Sequence, residues 1–181
     1  MTADVQLPHL TFVLGGARSG KSAYAQKLAE SAIAADGIWP ELYYIATAES
    51  GDDEMASRIA RHQADRGPRW RTVEAPLELS PALQKAAGPE CVIVVDCLSL
   101  WLSNLMHAGR DPDQACAQLL RTLGNSSAAV ILISNEVSLG IVPDNALARM
   151  FRDHAGRMHQ KIAAQADRVF FIAAGLALPL K

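Results

Sequence analysis

The feature that most constrains the fold is an apolar run that breaks into a glycine-rich loop and continues as a helical pattern. Residues 10–14 read LTFVL, and the next eight, from Gly15 to Ser22, read GGARSGKS, which fits GxxxxGK followed by Ser or Thr at every fixed position. Such a loop allows backbone N–H groups to turn inward around phosphate oxygens, and the start of the helix adds a partial positive charge. The segment therefore predicts a strand, a phosphate-binding loop and a helix. A plain strand-to-helix turn that happens to contain Lys-Ser is the alternative.

Three side chains in and near this loop are candidates for nucleotide chemistry. Lys21 is predicted to reach the β and γ phosphates, and the Ser22 hydroxyl is predicted to bind Mg²⁺. A second apolar run, CVIVV at 91–95, ends in Asp96, whose carboxylate could hold the same Mg²⁺ through water. Because ligands gather at the carboxyl ends of parallel strands, we expect Asp96 to lie beside the loop. The alternative is that Asp96 only caps the helix that follows.

The rest of the chain alternates short apolar runs with helical patterns. Strands are predicted at 10–14, 42–46, 91–95, 129–133 and 168–174, and helices at 20–35, 52–66, 77–87, 98–108, 111–124 and 144–166. This alternation predicts a P-loop NTPase-like α/β fold of three layers with a mainly parallel central sheet. With 181 residues, half of them apolar, we expect a single domain over 1–181, with 1–9 frayed and 49–76 forming a helix and an extended segment near the nucleotide site.

Charge and cysteine content exclude several classes of protein. The formal net charge of −2 gives no global basic field for nucleic acid or anionic lipid. No apolar stretch reaches the roughly 18 residues that a membrane span needs. The three cysteines are odd in number and lack a metal-binding spacing, which indicates neither a disulfide framework nor a structural zinc. We expect a cytoplasmic protein that binds no nucleic acid and has no membrane span.

A charged helical segment at 50–66 contains a histidine between two arginines. Arg58, His62 and Arg66 are spaced at i, i+4 and i+8 and therefore share one helix face. Two cations around an imidazole suit a polyphosphate, and the histidine could act as a base or nucleophile. A solvated charged face with an exposed histidine is the alternative. The other histidines are expected at the frayed terminus, at a helix end, or as surface or packing residues: His9, His107, His154 and His159.

A polar pair follows the predicted strand at 129–133. Asn135 and Glu136 fall where that strand ends, so we expect them beside the same crevice as the loop. Either could position a substrate or a metal ion. The alternative is a turn and a helix cap that use polar side chains.

Taken together, these motifs resemble one enzyme family. GGARSGKS, YIATAE, DDEMASRIARH, WRTVE, VDCLSLWLSN, NEVSLGIVP and ARMFRDHAGRMHQ occur in order between about residue 10 and about residue 175. In these motifs the chain resembles the bifunctional adenosylcobinamide kinase/adenosylcobinamide-phosphate guanylyltransferases of cobalamin biosynthesis. The resemblance implies phosphorylation of the aminopropanol hydroxyl of adenosylcobinamide by ATP or GTP. It further implies transfer of GMP from GTP, through an enzyme histidine, to adenosylcobinamide phosphate, giving adenosylcobinamide-GDP.

The resemblance also assigns roles to residues. It makes His62, in Arg58-Ile59-Ala60-Arg61-His62, the residue that carries GMP, and it leaves Arg58, Asn135 and Glu136 as substrate-side candidates. It implies a homotrimer with sites near subunit contacts. The implied nucleotide contacts are Gly15, Gly16, Ala17, Arg18, Ser19, Gly20, Lys21, Ser22, Ala46, Thr47, Ala48, Gln63, Ala64, Asp65, Arg66, Glu74 and Asp96. Ser22 and Asp96 remain the candidate Mg²⁺ ligands on the chemistry of their side chains.

At three positions this chain departs from the family pattern. Ser138 stands where the family often has Gly, His159 stands where it often has Asn, and Gly67 is an added residue. Two other functions are compatible with the loop. One is a small-molecule kinase without guanylyl transfer, which needs no His62, and the other is a GTP-binding switch that transfers nothing.

Overall fold

The computed structural model of the chain describes residues 7–33, 41–48 and 67–181. Its strands are β1 (Leu10–Gly15), β2 (Glu41–Ala46), β3 (Trp70–Glu74), β4 (Cys91–Asp96), β5 (Ala129–Asn135), β6 (Arg168–Ala173) and β7 (Leu176–Pro179). Its helices are α1 (Lys21–Ile33), α2 (Leu79–Ala86), α3 (Leu98–His107), α4 (Pro112–Gly124) and α5 (Ala146–Gln165). The predicted helix at 52–66 lies outside the described residues.

The strands form one sheet in the order β3-β2-β4-β5-β1-β6-β7. Every pair is parallel except the last, where β7 runs antiparallel to β6. The predicted α/β fold with a mainly parallel sheet is thus confirmed. Parallel pairing brings the carboxyl ends of β1 to β6 to one edge of the sheet, which we call the carboxyl edge.

Helices cover both faces of the sheet. On one face Ala25 and Ala29 of α1 pack against apolar side chains of the central strands, such as Val13 and Ile131. On the other face α3 and α5 pack against β5 and β1, through buried residues such as Trp101 and Ile162. Successive side chains of a strand point to opposite faces of the sheet. Because helices cover both faces, both sets of alternate side chains in the central strands are apolar.

Two strands were not among the five that the apolar runs predict. β3 lies in the extended segment predicted within 49–76, and its sequence has little strand character because its side chains are mostly exposed. β7 is short, fully exposed and ends in proline. Ala174 and Gly175, both at positive φ, form a tight turn that lays β7 back along β6. A strand held mainly by its turn and one neighbour carries little apolar periodicity.

Among the helices in the described part of the chain, none combines the length and the apolar character that crossing a membrane would require. All three cysteines of the sequence, Cys91, Cys97 and Cys116, are free thiols.

Candidate functional site

The carboxyl edge of the sheet collects most of the predicted site residues. The strand register aligns Glu74 of β3 with Ala46 of β2, and Ala46 in turn with Asp96 of β4. Further along the same edge, Gly15 of β1 is aligned with Asn135 of β5. The glycine loop leaves β1 at this edge. Residues from five separate strands therefore lie in one row.

The glycine loop is held by short backbone contacts that only glycine permits at its first position. A Cβ added to Gly15 would lie 2.3 Å from the carbonyl oxygen of Ile172 in β6, well inside contact distance. The loop then turns through Arg18 and Gly20, both at positive φ, before α1 begins. The N–H of Tyr24 donates to the Gly20 carbonyl at 2.9 Å, so the helix starts directly from the loop. Its first free N–H groups accordingly face the loop.

Two polar side chains point into the loop. Lys21 is only 7% exposed, and its Nζ donates to the Gly16 carbonyl at 2.5 Å, across the loop. The Ser19 hydroxyl is buried and has no hydrogen-bond partner among the described residues. An enclosed ammonium and an unpaired hydroxyl are groups that phosphate oxygens satisfy well. Of the remaining loop residues, Ala17 and Arg18 are exposed to solvent.

The second feature of the site is a carboxylate that receives two hydroxyl groups on one oxygen. Ser22 Oγ donates to Oδ2 of Asp96 at 2.5 Å, and the Tyr44 hydroxyl donates to the same oxygen at 2.6 Å. The serine hydroxyl and the carboxylate thus lie side by side at the start of α1. Hard oxygen donors of this kind are the ligands that Mg²⁺ prefers, so these residues fit the ion that the sequence implies. When bound, Mg²⁺ would neutralise phosphate charge there.

Threonine 47 ties β2 to the segment after Asp96. Its hydroxyl donates to the Cys97 carbonyl at 2.7 Å and accepts the Cys97 N–H at 2.8 Å, and the side chain is fully buried. Ala46 ends β2 beside it, and Ala48 is half-buried. Burial, followed by the charge of Asp96, raises the pKa of the Cys97 thiol. This cysteine is therefore a structural thiol and not a nucleophile.

Asparagine 135 is bound to the start of α3. Both its backbone N–H, at 3.2 Å, and its side-chain amide, at 3.0 Å, donate to the Ser99 hydroxyl. Further along α3, the amide of Asn104 donates to the carbonyls of Thr47, at 2.8 Å, and Pro76, at 3.1 Å. α3 consequently fixes the relative positions of β2, β5 and the segment after β3.

Glutamate 136 continues β5 and contacts the glycine loop through its backbone, because its N–H donates to the Gly15 carbonyl at 3.0 Å. Its carboxylate accepts hydrogen bonds from the backbone N–H of Ser138, at 2.5 Å, and from the Ser138 hydroxyl. The other carboxylate oxygen lies 3.8 Å from Nδ1 of His159 on α5. Two of the three departures from the family pattern, Ser138 and His159, therefore contact the same carboxylate.

The remaining predicted residues are divided between the carboxyl edge and the undescribed part of the chain. Glu74 ends β3 at this edge and is exposed. Gly67 has φ of +70°, a conformation that suits glycine. The histidine-helix residues lie outside the described residues: Arg58, His62, Gln63, Ala64, Asp65 and Arg66.

Sequence reasoning missed two parts of the site. Tyr44 was only part of an apolar run, although a tyrosine two residues before the end of a buried strand must direct its hydroxyl to a polar partner. That requirement is the signal that could have found it. The β6–β7 turn was also missed: Gly175 N–H donates to the Ser19 carbonyl at 2.9 Å, so the hairpin supports the glycine loop from behind. No pattern within a single segment of the sequence predicts this hydrogen bond between Gly175 and Ser19.

Comparison with known proteins shows that the chain is similar to the members of one enzyme family. Residues 11–180 match the family model described as "Cobinamide kinase / cobinamide phosphate guanyltransferase". The chain is 47% identical over 173 residues to the "Bifunctional adenosylcobalamin biosynthesis protein CobP" of Pseudomonas aeruginosa, covering 93% of this chain and 95% of that protein. It is 37% identical over 187 residues to the "Bifunctional adenosylcobalamin biosynthesis protein CobU" of Salmonella typhimurium, covering 95% and 99%.

A solved structure shares the fold at lower similarity. The flagellar accessory protein FlaH from Methanocaldococcus jannaschii superposes with a TM-score of 0.53 and 16% sequence identity, covering 97% of this chain and 80% of that one. At this identity the likeness concerns the fold alone.

Proposed function

The chain belongs to the cobinamide kinase/cobinamide phosphate guanyltransferase family, and we propose that it carries out both reactions at the carboxyl edge of its sheet. It phosphorylates adenosylcobinamide with ATP or GTP. It then transfers GMP from GTP to adenosylcobinamide phosphate, giving adenosylcobinamide-GDP. The observation that carries the site assignment is the convergence of Lys21, Ser22 and Asp96 at the end of the glycine loop.

In the kinase reaction the loop residues Gly15 to Ser22 surround the nucleotide phosphates. Lys21 places a positive charge next to the phosphoryl group that is transferred, where negative charge accumulates in the transition state. Ser19 gains a partner for its buried hydroxyl, and the first N–H groups of α1 add their partial charge. The residues that would hold Mg²⁺ are Ser22 and Asp96, and Tyr44 keeps the Asp96 carboxylate in place.

In the guanylyl transfer we assign the nucleophile to His62, which lies outside the described residues. An imidazole nitrogen of His62 attacks the α-phosphorus of GTP, a P–N bond forms, and the bond to the bridging oxygen breaks with release of pyrophosphate. A phosphate oxygen of the cobinamide phosphate then attacks the same phosphorus and displaces the histidine. Dividing the transfer in this way turns one difficult exchange into two in-line displacements.

The other family-implied residues complete the proposal. Ala46, Thr47 and Ala48, with Glu74, line the carboxyl edge on the β2–β3 side and contact the nucleotide, and residues Gln63 to Arg66 do so after the histidine. Arg58, Asn135 and Glu136 serve the substrate side. Asn135 ends β5, the strand next to β1 and its loop, and Glu136 follows it, where the second substrate must present its reacting group.

A labelling experiment tests the guanylyl half. The protein is incubated with α-³²P-labelled GTP and no corrinoid. We expect a covalent label that acid removes and base does not, that is lost in His62→Ala and that persists in the control His107→Ala, an exposed histidine at the end of α3. No label on the parent protein, or an equal label on His62→Ala, contradicts the assignment.

A second assay separates this enzyme from its two rivals. Adenosylcobinamide, GTP and Mg²⁺ are supplied together, and the phosphate and GDP-linked products are resolved. A kinase without guanylyl transfer forms only the phosphate, and a GTP-binding switch forms neither product. Formation of both products in order is expected here.

Assembly and location complete the proposal. We assign a homotrimer, and we assign the cytoplasm on the basis of free thiols in an odd number. Support for a contact between copies comes from large apolar side chains that are exposed in the single chain: Val137, Leu139, Ile141, Val142, Leu147 and Met150. Light scattering coupled to size-exclusion chromatography should give three times the chain mass, and a monomer mass would overturn the trimer.

A further inference from the structure

Glu136 is held on both sides of its carboxylate by residues that have no assigned role. Its Oε1 accepts the Ser138 N–H at 2.5 Å and the Ser138 hydroxyl. Its Oε2 faces Nδ1 of His159 at 3.8 Å, and the side chain of Glu136 is 15% exposed. We call Ser134, Glu136, Ser138 and His159 the Glu136 network. A carboxylate bracketed in this way has little rotational freedom.

The histidine of this network is itself fixed from behind. Its Nε2 lies 2.8 Å from the hydroxyl of Ser134, which is fully buried in β5. Its ring packs against Phe12 of β1, with 5.6 Å between the ring centroids. Burial lowers the pKa of His159, opposed by the charge of Glu136, so the imidazole is neutral at physiological pH.

The carboxylate determines which nitrogen of the neutral ring carries the hydrogen. A lone pair on Nδ1 would face the negative charge of Glu136, whereas an N–H there is attracted to it. With the hydrogen on Nδ1, Nε2 is an acceptor and the Ser134 hydroxyl donates to it. The series of polar contacts from Ser134 through His159 to Glu136 is thus polarised in one direction. It runs from a buried strand residue to a carboxylate at the carboxyl edge.

We propose that His159 is a positioning residue for Glu136: together with Ser138 it orients the carboxylate beside the glycine loop so that Glu136 accepts a hydrogen bond from the acceptor hydroxyl of the corrinoid side chain. The link to the reaction is the backbone hydrogen bond from Glu136 to Gly15, which places this residue at the first position of the loop. A correctly oriented Glu136 carboxylate lowers the activation barrier of phosphoryl transfer by positioning the substrate hydroxyl, and it does not tighten nucleotide binding. This inference rests on the proposed kinase activity.

The test is a kinetic double-mutant cycle with Glu136→Gln, His159→Leu and the double variant, with His159→Asn as the conservative replacement. We expect His159→Leu to lower kcat for phosphorylation of adenosylcobinamide by about tenfold or more, with KM for ATP unchanged within about twofold. In the Glu136→Gln background the same change should have no further effect, since His159 acts through Glu136. His159→Asn, which keeps a neutral N–H donor, should recover most of the rate.

Two readouts separate this inference from the function on which it rests. Formation of the guanylyl-enzyme from GTP alone involves no acceptor hydroxyl and should be unchanged in His159→Leu. Additive effects of Glu136→Gln and His159→Leu, or an equal loss of guanylylation, would overturn the positioning role. If His159→Leu does not fold, Ser138→Ala takes its place in the cycle at an exposed position, and additivity there has the same meaning. Absence of any cobinamide phosphate with the parent protein would instead overturn the proposed function.

Discussion

The hydroxyl of Ser22 donates a 2.5 Å hydrogen bond to Oδ2 of Asp96, although the two residues are 74 positions apart in the chain. Ser22 lies in the first turn of α1 and Asp96 ends β4, and the parallel sheet brings them together because both elements meet its carboxyl edge. We propose that a divalent cation binds at this pair, between the protein and a nucleotide. It is the basis of the first prediction.

Replacing Asp96 by asparagine keeps the size of the side chain and removes its charge. We expect Asp96→Asn to lower kcat for phosphoryl transfer by about a hundredfold or more and to raise the Mg²⁺ concentration needed for half-maximal nucleotide binding, measured by calorimetry. Glu90→Gln is the matched control, because Glu90 precedes the opposite end of the same strand and is exposed. An unchanged Mg²⁺ requirement in Asp96→Asn would argue against the assigned ligand.

Removing the ammonium of Lys21 should impair catalysis more than folding. Its Nζ is directed across the glycine loop, so Lys21→Ala removes a positive charge beside the transferred phosphoryl group. We expect kcat for the kinase reaction to fall by about 10²- to 10³-fold. Lys27→Ala, at an exposed position on the same helix, should retain the parent rate. Near-normal kinase activity in Lys21→Ala would show that the loop does not serve this reaction.

The two adjacent glycines of the loop should respond differently to alanine. A Cβ at position 15 would meet the Ile172 carbonyl oxygen at 2.3 Å, whereas a Cβ at position 16 has nothing within 4 Å. We therefore expect Gly15→Ala to lower the free energy of unfolding by about 1–3 kcal/mol, as overpacking against backbone does. Gly16→Ala should change it by less than about 0.5 kcal/mol. Urea denaturation of both variants measures the difference, and equal losses would contradict the close approach of β1 and β6.

Stability should depend on pH through His159. Ser134 from β5, Phe12 from β1 and the Glu136 carboxylate face this ring, and burial lowers its pKa in the folded state despite Glu136. Because the unfolded chain then binds a proton that the folded protein does not, the free energy of unfolding falls as the pH drops below about 6.5 and levels off below the folded-state pKa.

The variant His159→Asn, which cannot titrate, should lose this part of the pH dependence in urea denaturation between about pH 5 and 8. Above that range the imidazole is neutral in both states, so the difference in unfolding free energy between variant and parent should be constant. A variant with the same slope as the parent between pH 5 and 6.5 would show that the slope comes from another group.

Prediction from sequence succeeded where the determining interactions are local. Five apolar runs became strands, because burial on both faces leaves a continuous apolar pattern in each central strand. The described helices begin and end within about two residues of their predicted bounds, because each helix buries one face and therefore has a helical period of apolar residues. It was incomplete for β3 and β7, whose exposed side chains carry no such pattern. The resemblance to the cobinamide enzymes likewise depended on short motifs that can be read directly, and the family match confirms it.

By itself, then, the sequence determined the glycine loop, the parallel α/β fold and the family, since each is encoded in contiguous residues. Only the tertiary structure decided which side chains support the site. The Tyr44 hydroxyl on Asp96, the β6–β7 turn behind Ser19 and the histidine of α5 beside Glu136 each join segments that are distant in the chain. The physical reason is that such contacts depend on strand order and register, which arise from packing of the whole sheet and leave no periodic signal in any one segment.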